Sequence, residues 1–481
     1  MSEAASTKIA EQIPDAPVSS YPRNDSERAV RFAQTFGADL RYVENWKTWL
    51  RWDGTRWRRD EDGEIMRLAQ KMPQIFLKEA AEIEDADRRK LAVYTALRSG
   101  DAAKLHAMIQ LAGTQPGVAA TTKKFDADPY LLSVRNGVID LRSGCFRKAE
   151  KEDYLTKQAG VEYSRDARCP LWFEHLRKVF AGNEELVSYF QRAVGYSLTG
   201  DTREQKLFFL HGTGRNGKST TTETLHALFG DYAQRAPASL FMIDKSGREP
   251  ETEIARLMGA RLVVGSETEE RAKLAESRVK YLTGQDTLTG RYLYSSAFDF
   301  KPTHKLWIFG NHKPDIQGTD LGIWRRMQLV PFNVQIEESE IDPGLPEKLI
   351  EELPGILNWA IDGCSIWQKQ GLSTPHAVTS ATAEYRDEED ELGQFIEDKC
   401  VVQSEAETEK KTLFSAYRDW ACEQGIKLPL TLRMFGKRLR SRDGISERDR
   451  NSGHYWVGIT APGYTDSAGV VSFRVVAPVT A

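Results

Sequence analysis

The sequence predicts an α/β fold, and three observations carry that prediction. An apolar run, Leu207 to Leu210, leads into Gly212-Thr213-Gly214-Arg215-Asn216-Gly217-Lys218-Ser219, and a helix-like stretch from Lys218 to Phe229 follows. Two later apolar runs, Arg261 to Glu267 and Lys305 to Asn311, read as buried strands that each end on a polar residue. Helix-patterned segments flank this region on both sides.

The chain has 481 residues, enough for about three domains. With 40% apolar and 28% charged residues its composition is that of a globular protein. A net charge of −4 means that any nucleic-acid contact must come from local patches. Five scattered cysteines without a C-x-x-C pair argue against a zinc ribbon or a disulfide framework and fit a reducing cytoplasm. No apolar signal core opens the chain, and no segment is long enough to span a membrane, so no membrane partner is expected.

Taken in order, residues 1–25 read as a loose tail. Residues 26–200 read as a mainly helical domain with a small β element. Ala29, Phe32, Ala33 and Phe36 recur at helical spacing. Asp53-Gly54 between aromatic runs predicts a β-hairpin. Residues 63–115 are helix-rich, and 129–141 return to short strands with a turn at Asn136-Gly137. Trp172 to Leu198 is helical again. The core spans 201–335. A helical extension and acidic linker cover 336–390, where six of the eight residues 384–391 are acids, a pattern that reads as a solvated helix face or hinge. Residues 391–460 read as helix, helix, helix, then strands, and 461–481 as a tail.

The octapeptide is G-x-x-x-x-G-K-S, a phosphate-binding P-loop. Residues Gly212 to Thr220 would wrap a polyphosphate with backbone N–H groups, aided by the positive end of the following helix. Lys218 would reach the β- and γ-phosphates, and Ser219 would hold Mg²⁺. These residues call for ATP and Mg²⁺. Glu267 ends its strand where an acid can bind the metal or orient water, with Glu269 close enough to share the task. Asn311 offers both a donor and an acceptor to a γ-phosphate and its attacking water. Arg325 and Arg326 are candidates for a cation that stabilises the developing phosphoryl charge; the alternative is a surface pair bound to acids of the same chain.

Between the acidic strand and Asn311, residues 289–304 alternate and turn at Ser295-Ser296, as an inserted β-hairpin does. Arg291, Lys301, His304 and Lys305 give it cationic reach, and Tyr292 and Tyr294 could stack on bases. An ordinary packed hairpin with its aromatics turned inward fits equally well. Further on, Thr431 to Arg442 reads as an amphipathic helix with Leu432, Phe435 and Leu439 on one face and Arg433, Lys437 and Arg440 around it. Three helices and a strand pair suggest a winged helix whose third helix would read DNA. A solvated amphipathic helix is the alternative.

The phrases "GTGRNGKST", "ARLVVGSETEE", "TGQDTLTGRYLY", "LWIFGNHKP" and "GTDLGIWRRMQLVPF" resemble superfamily 3 DNA helicases, closest to the phage/plasmid primase–helicases related to the poxvirus primase–helicase. "WKTWLRWDGTRW" and "FDADPYLLSVRNGVIDL" resemble the helical domain that precedes that ATPase. The resemblance implies an AAA+-type core with a C-terminal winged helix, a ring (a hexamer) that threads single-stranded DNA, and work on forked DNA in phage, prophage or plasmid replication in the host cytoplasm. It also implies a separate primase or other replication proteins as partners. By motif position, Lys218 and Ser219 are Walker A, Glu267 is Walker B, Asn311 is sensor one, and Arg325 or Arg326 is a finger acting in trans. The inserted hairpin would grip DNA in the pore. Many members carry two adjacent acids where this chain has Ser266-Glu267-Thr268-Glu269, so the roles of Glu267 and Glu269 stay open. Without paired metal-binding acids and a suitable histidine, no primer synthesis is expected; Asp126 and Asp128 read as structural. The rival readings are an ATPase switch that marks or melts an origin, and an assembly factor that binds nucleotide only to oligomerise.

Overall fold

The computed structural model describes residues 21–243, 251–265, 272–292, 296–316, 321–426, 429–451 and 453–462. The chain divides into two compact units, one running to Ser164 and including Gly230–Tyr232, the other formed by Arg165–Phe229 and the chain from Ala233. The boundary expected near residue 200 therefore moves back, and the helices between 170 and 198 belong with the core.

In the first unit, α1 (Asp25–Phe36) begins where the Asn24 side chain accepts the Glu27 N–H at 2.9 Å. Strands β1 (Leu40–Val43), β2 (Thr48–Trp52) and β3 (Trp57–Arg59) follow. Then come α2 (Glu64–Ala69), α3 (Met72–Ala81), α4 (Ala86–Arg98), α5 (Ala102–Ala112) and the short β4 (Ala119–Ala120). The sheet order is β3-β2-β1-β4. The β2–β3 hairpin closes on Trp52 opposite Trp57, with the Asp53 carboxylate accepting the Thr55 and Arg56 N–H groups in the turn. Phe32, Leu40, Met72, Phe76 and Met108 form the buried helical core. Strands β5 (Leu131–Val134), β6 (Gly137–Asp140) and β7 (Cys145–Arg147) make an antiparallel sheet. Its first turn is Arg135-Asn136, one residue earlier than expected, because Gly137 already pairs with Val134. Gly137 is there for close approach: a Cβ would lie 2.6 Å from the Phe146 ring. Asp126 takes the Thr156 N–H at 2.9 Å and Asp128 pairs with Arg142, so both acids serve turns.

In the second unit, the expected continuous helical run over Trp172–Leu198 is two helices, α6 (Pro170–Val179) and α7 (Glu184–Leu198). The break falls at Gly182, which has a positive φ, and Asn183 caps α7 by accepting the Leu186 N–H. Then follow β8 (Leu207–His211), α8 (Lys218–Phe229), β9 (Ala233–Ala236), α9 (Glu251–Ala255), β10 (Leu262–Gly265) and α10 (Glu276–Leu282). The hairpin is β11 (Leu288–Gly290) and β12 (Phe298–Phe300), and β13 (Lys305–Gly310), α11 (Leu321–Trp324) and β14 (Met327–Pro331) complete the sheet region. The sheet is parallel throughout, in the order β14-β8-β13-β10-β9. Strands buried on both faces need continuous apolar sequence, which explains the near-unbroken runs in β8, β10 and β13. The architecture is mixed α/β.

Helices α12 (Leu345–Glu351), α13 (Leu353–Gln370) and α14 (His376–Glu388) lead to the C-terminal module. The acidic segment is not only a solvated face: Tyr385 is fully buried in the core that holds Leu329 and Ile316. The module runs α15 (Glu391–Lys399), β15 (Val401–Glu409), α16 (Lys410–Glu423), α17 (Leu432–Arg440), β16 (Ser446–Arg450) and β17 (Gly453–Thr460). Strand β15 interrupts the expected run of three helices. It pairs with β17, giving the antiparallel order β15-β17-β16. Phe395, Tyr417, Trp420, Phe435 and Trp456 fill its core.

Candidate functional site

The site is built where β8 and β13 pair in parallel. Gly310 lies opposite His211, so the chain leaves both strands side by side, one into the glycine loop and the other into Asn311. The loop has little freedom. A Cβ on Gly212 would collide with the Phe332 carbonyl, and one on Gly217 would lie 2.5 Å from Val179 Cγ1. Arg215 and Gly217 both take positive φ (57° and 81°). The Asn216 amide is turned inward and donates to the Thr213 carbonyl and to the Phe332 carbonyl at 3.0 Å, tying the loop to the end of β14. At Gly214 a Cβ would meet nothing within 4 Å, so that backbone is approachable from outside.

Helix α8 starts at Lys218, and its ammonium group is buried beneath the loop. It donates to the Gly212 carbonyl at 2.6 Å, the Thr213 carbonyl at 3.3 Å, the Asn216 side chain at 3.1 Å and the Asn311 Oδ1 at 3.0 Å. Residues 93 positions apart in sequence thus share one hydrogen bond. Ser219, the next residue of the same helical turn, is exposed. Glu267 and Glu269 lie outside the described residues, as does Tyr294; β10, which leads to the two acids, sits between β13 and β9.

The arginine pair divides. Arg326 is buried, its Nε donating to Thr283 Oγ1 at 3.0 Å and its guanidinium to the Gly322 carbonyl at 2.8 Å. Arg325 is exposed. Of the two, only Arg325 faces solvent, whereas the sequence gave them equal standing.

The hairpin pairs Leu288 with Phe300 and Gly290 with Phe298. Arg291 Nε pairs with Glu251 at 2.8 Å, and the Tyr292 hydroxyl donates to the Ala255 carbonyl at 3.1 Å while its ring stacks on Phe298. Both side chains are held against α9 yet keep solvent-facing surface. Lys301 is exposed. His304 and Lys305 are buried, and their assignment to DNA is withdrawn. Lys305 donates to the Thr199 and Asp201 carbonyls behind the sheet, and burial drives its pKa well down. Burial likewise takes His304 down to about 4.

On α17, Arg433, Lys437 and Arg440 are exposed, one above the other at helical spacing. Arg440 pairs with Glu447 at 2.7 Å, a carboxylate that Lys410 also holds at 3.0 Å. Phe435 and Leu439 are buried as expected, but Leu432 is exposed because it starts the helix on the solvent side.

Two features escaped the sequence reading. His175 on α6 meets Thr221 Oγ1 of α8 at 2.8 Å, and burial holds its pKa down to about 4, so it braces the glycine-loop helix as a neutral imidazole. The segment after Asn311 is also held from outside: Glu389 accepts the Ile316 N–H at 2.8 Å, Lys313 pairs with Glu388 at 2.6 Å, and the Tyr385 hydroxyl donates to the Pro314 carbonyl. Neither residue set carries a local sequence pattern, because each depends on which helix packs where.

Comparison with known proteins adds the family. The D5 N terminal like family matches residues 29–181, and a family of unknown function (DUF5906) matches residues 210–326. "Putative helicase L207/L206" of Acanthamoeba polyphaga mimivirus is 28% identical over 300 residues, covering 58% of this chain and 31% of that protein. Primase D5 of fowlpox virus is 25% identical over 237 residues, covering 46% and 29%. The chain is related to the D5-type primase–helicases. It spans about a third of the length of the curated relatives it matches. In fold, it is similar to an apo structure of the NrS-1 C terminal region, with a TM-score of 0.51 at 10% identity, covering 91% of this chain and all of that one. Among the described residues, no helix is long and apolar enough to cross a membrane.

Proposed function

We propose that this chain is an ATP-driven DNA helicase of the superfamily 3 type, working in viral, phage or plasmid replication. The observation that carries the reading is the 3.0 Å contact between Lys218 of the glycine loop and Asn311 at the end of the adjacent strand. It joins a phosphate-binding cation to a group able to position water. The strand order, with β8 between β14 and β13, supports an AAA+-type core. The C-terminal order of helix, strand, helix, helix and two strands supports a winged helix.

The loop suits a triphosphate: a helix N-terminus, approachable backbone at Gly214 and a buried ammonium converge on one place. Lys218 holds the β- and γ-phosphates, and Asn311 orients the attacking water. Ser219 and Glu267 are the residues that would hold Mg²⁺, which neutralises phosphate charge when bound. Glu267, helped by Glu269, takes the proton from water. Arg325 completes the site of a neighbouring subunit, which requires a ring, read here as a hexamer. Lys301 and the outer surfaces of Arg291 and Tyr292 grip single-stranded DNA, and Arg433, Lys437 and Arg440 contact phosphates.

The test is ATP turnover with and without single-stranded DNA, comparing wild type with Lys218→Ala. The reading expects DNA-stimulated turnover in the wild type and a loss of at least about 100-fold in the variant. Equal turnover by the two proteins would remove the site assignment. DNA-stimulated turnover without strand displacement would favour an origin-melting switch.

A further inference from the structure

The first unit carries a face that neither the core nor the C-terminal module explains. Arg41 and Arg59 both lie opposite Leu50, one on each neighbouring strand, so the three share a rung and one face of the sheet. Aromatic rings cover that face in a continuous run. Trp46 packs on Phe125 with centroids 5.6 Å apart, Phe125 meets Tyr154 edge-on at 5.4 Å, and Tyr154 stacks on Trp57. Cations lie over the rings: Arg59 is 5.6 Å from the Trp46 centroid, Lys124 is 5.6 Å from that of Tyr154, and Arg41 is 4.4 Å from that of Trp57. Trp57 and Phe125 are buried and serve as foundation, whereas Trp46 and Tyr154 are only partly covered and Arg59 and Lys124 are exposed.

Cations gather around Lys157. Burial lowers the pKa of Lys157; Asp126 opposes the fall, and Arg59 and Arg56 add to it. Arg56 has its own acids, Asp53 and Asp231, within the unit. Crowded cations cost folding energy unless a polyanion shares the face. Exposed aromatic edges beside them suit bases that are free to leave a stack, which selects single strands over duplex.

We propose that this face is a further single-strand contact: Arg59 and Lys124 take neighbouring phosphates, and the Trp46 ring stacks a base. The proposal rests on the reading that the chain works on DNA.

The test measures binding of a fluorescein-labelled oligothymidylate across a salt series, for wild type and for Arg59→Gln with Lys124→Gln in the full chain. Losing two phosphate contacts should flatten the slope of log K against log salt by about 1.4 and weaken binding about 25-fold at 0.1 M salt. Circular dichroism melting checks folding. Should the pair not fold, Lys124→Gln alone, at an exposed position, should flatten the slope by about 0.7 and weaken binding about fivefold. Photocrosslinking with a bromodeoxyuridine oligonucleotide should mark the peptide that holds Trp46. An unchanged slope, with crosslinks confined to 288–301 and 432–450, overturns the proposal and leaves the DNA reading standing. No binding by the wild type overturns both.

Discussion

Glu389 ties the end of the acidic helix to the segment beyond Asn311, and its protonation should be visible in stability. Burial raises its carboxyl from 4.5 to about 7; Asp315 and Glu388 add to the rise, while the Ile316 N–H and Lys313 oppose it. The folded state therefore holds the proton more tightly than the unfolded chain. The stabilisation is complete below pH 4.5 and is lost as pH rises through about 7. At about 1.4 kcal/mol per pH unit the rise corresponds to roughly 3 kcal/mol. Solvent on the open side of the carboxyl screens that to about 1–2 kcal/mol. Glu389→Gln keeps an oxygen for the Ile316 N–H and never carries the charge. At pH 8 the variant should melt about 1–3 °C above the wild type, and at pH 5 the two should converge. The assay is a pair of thermal melts at each pH. Parallel melting curves, with the same offset at both, would refute the claim that a half-buried carboxylate is what pH 8 creates here.

Other sites give independent expectations. Arg325→Ala should cost at least about 10³-fold in turnover, and mixing it with Lys218→Ala protein should recover activity, because each supplies what the other lacks; no recovery would contradict a finger in trans. Gly217→Ala places a Cβ 2.5 Å from Val179 at φ 81°, so a loss of about 1–3 kcal/mol is expected by urea melting, and a neutral result would mean that α6 yields freely. Arg433→Gln with Lys437→Gln should flatten the salt dependence of duplex binding by about 1.8, and an unchanged slope would leave α17 a solvated helix.

What the sequence disclosed was local. The run from Leu207 through the glycine loop into α8 is legible because a continuous apolar run, glycine spacing and helix start are neighbours in the chain. The hairpin over β11 and β12 was legible for the same reason. That Asn311 touches Lys218 was not legible, since strand order decides it and no spacing encodes strand order; the sequence offered Asn311 only to a γ-phosphate and its attacking water. Strand β15 was missed because Val401–Glu409 is mostly polar and exposed, held in place by Ala406 and Thr408 facing inward. Lys305 and His304 were misplaced because charge suggests surface, whereas here the backbone carbonyls of Thr199 and Asp201 satisfy the ammonium in the interior. The arginine pair could be ranked only once Thr283 and the Gly322 carbonyl were seen around Arg326.

The central claim is that the Lys218–Asn311 site drives strand separation. The most direct measurement is ATP-dependent release of a labelled strand from a forked duplex by the wild type, by Lys218→Ala and by Asn311→Ala. Release is expected from the wild type with Mg²⁺ and ATP, none from Lys218→Ala, and a slowing of at least about 100-fold in Asn311→Ala despite retained ATP binding. Release by Lys218→Ala at the wild-type rate would contradict it.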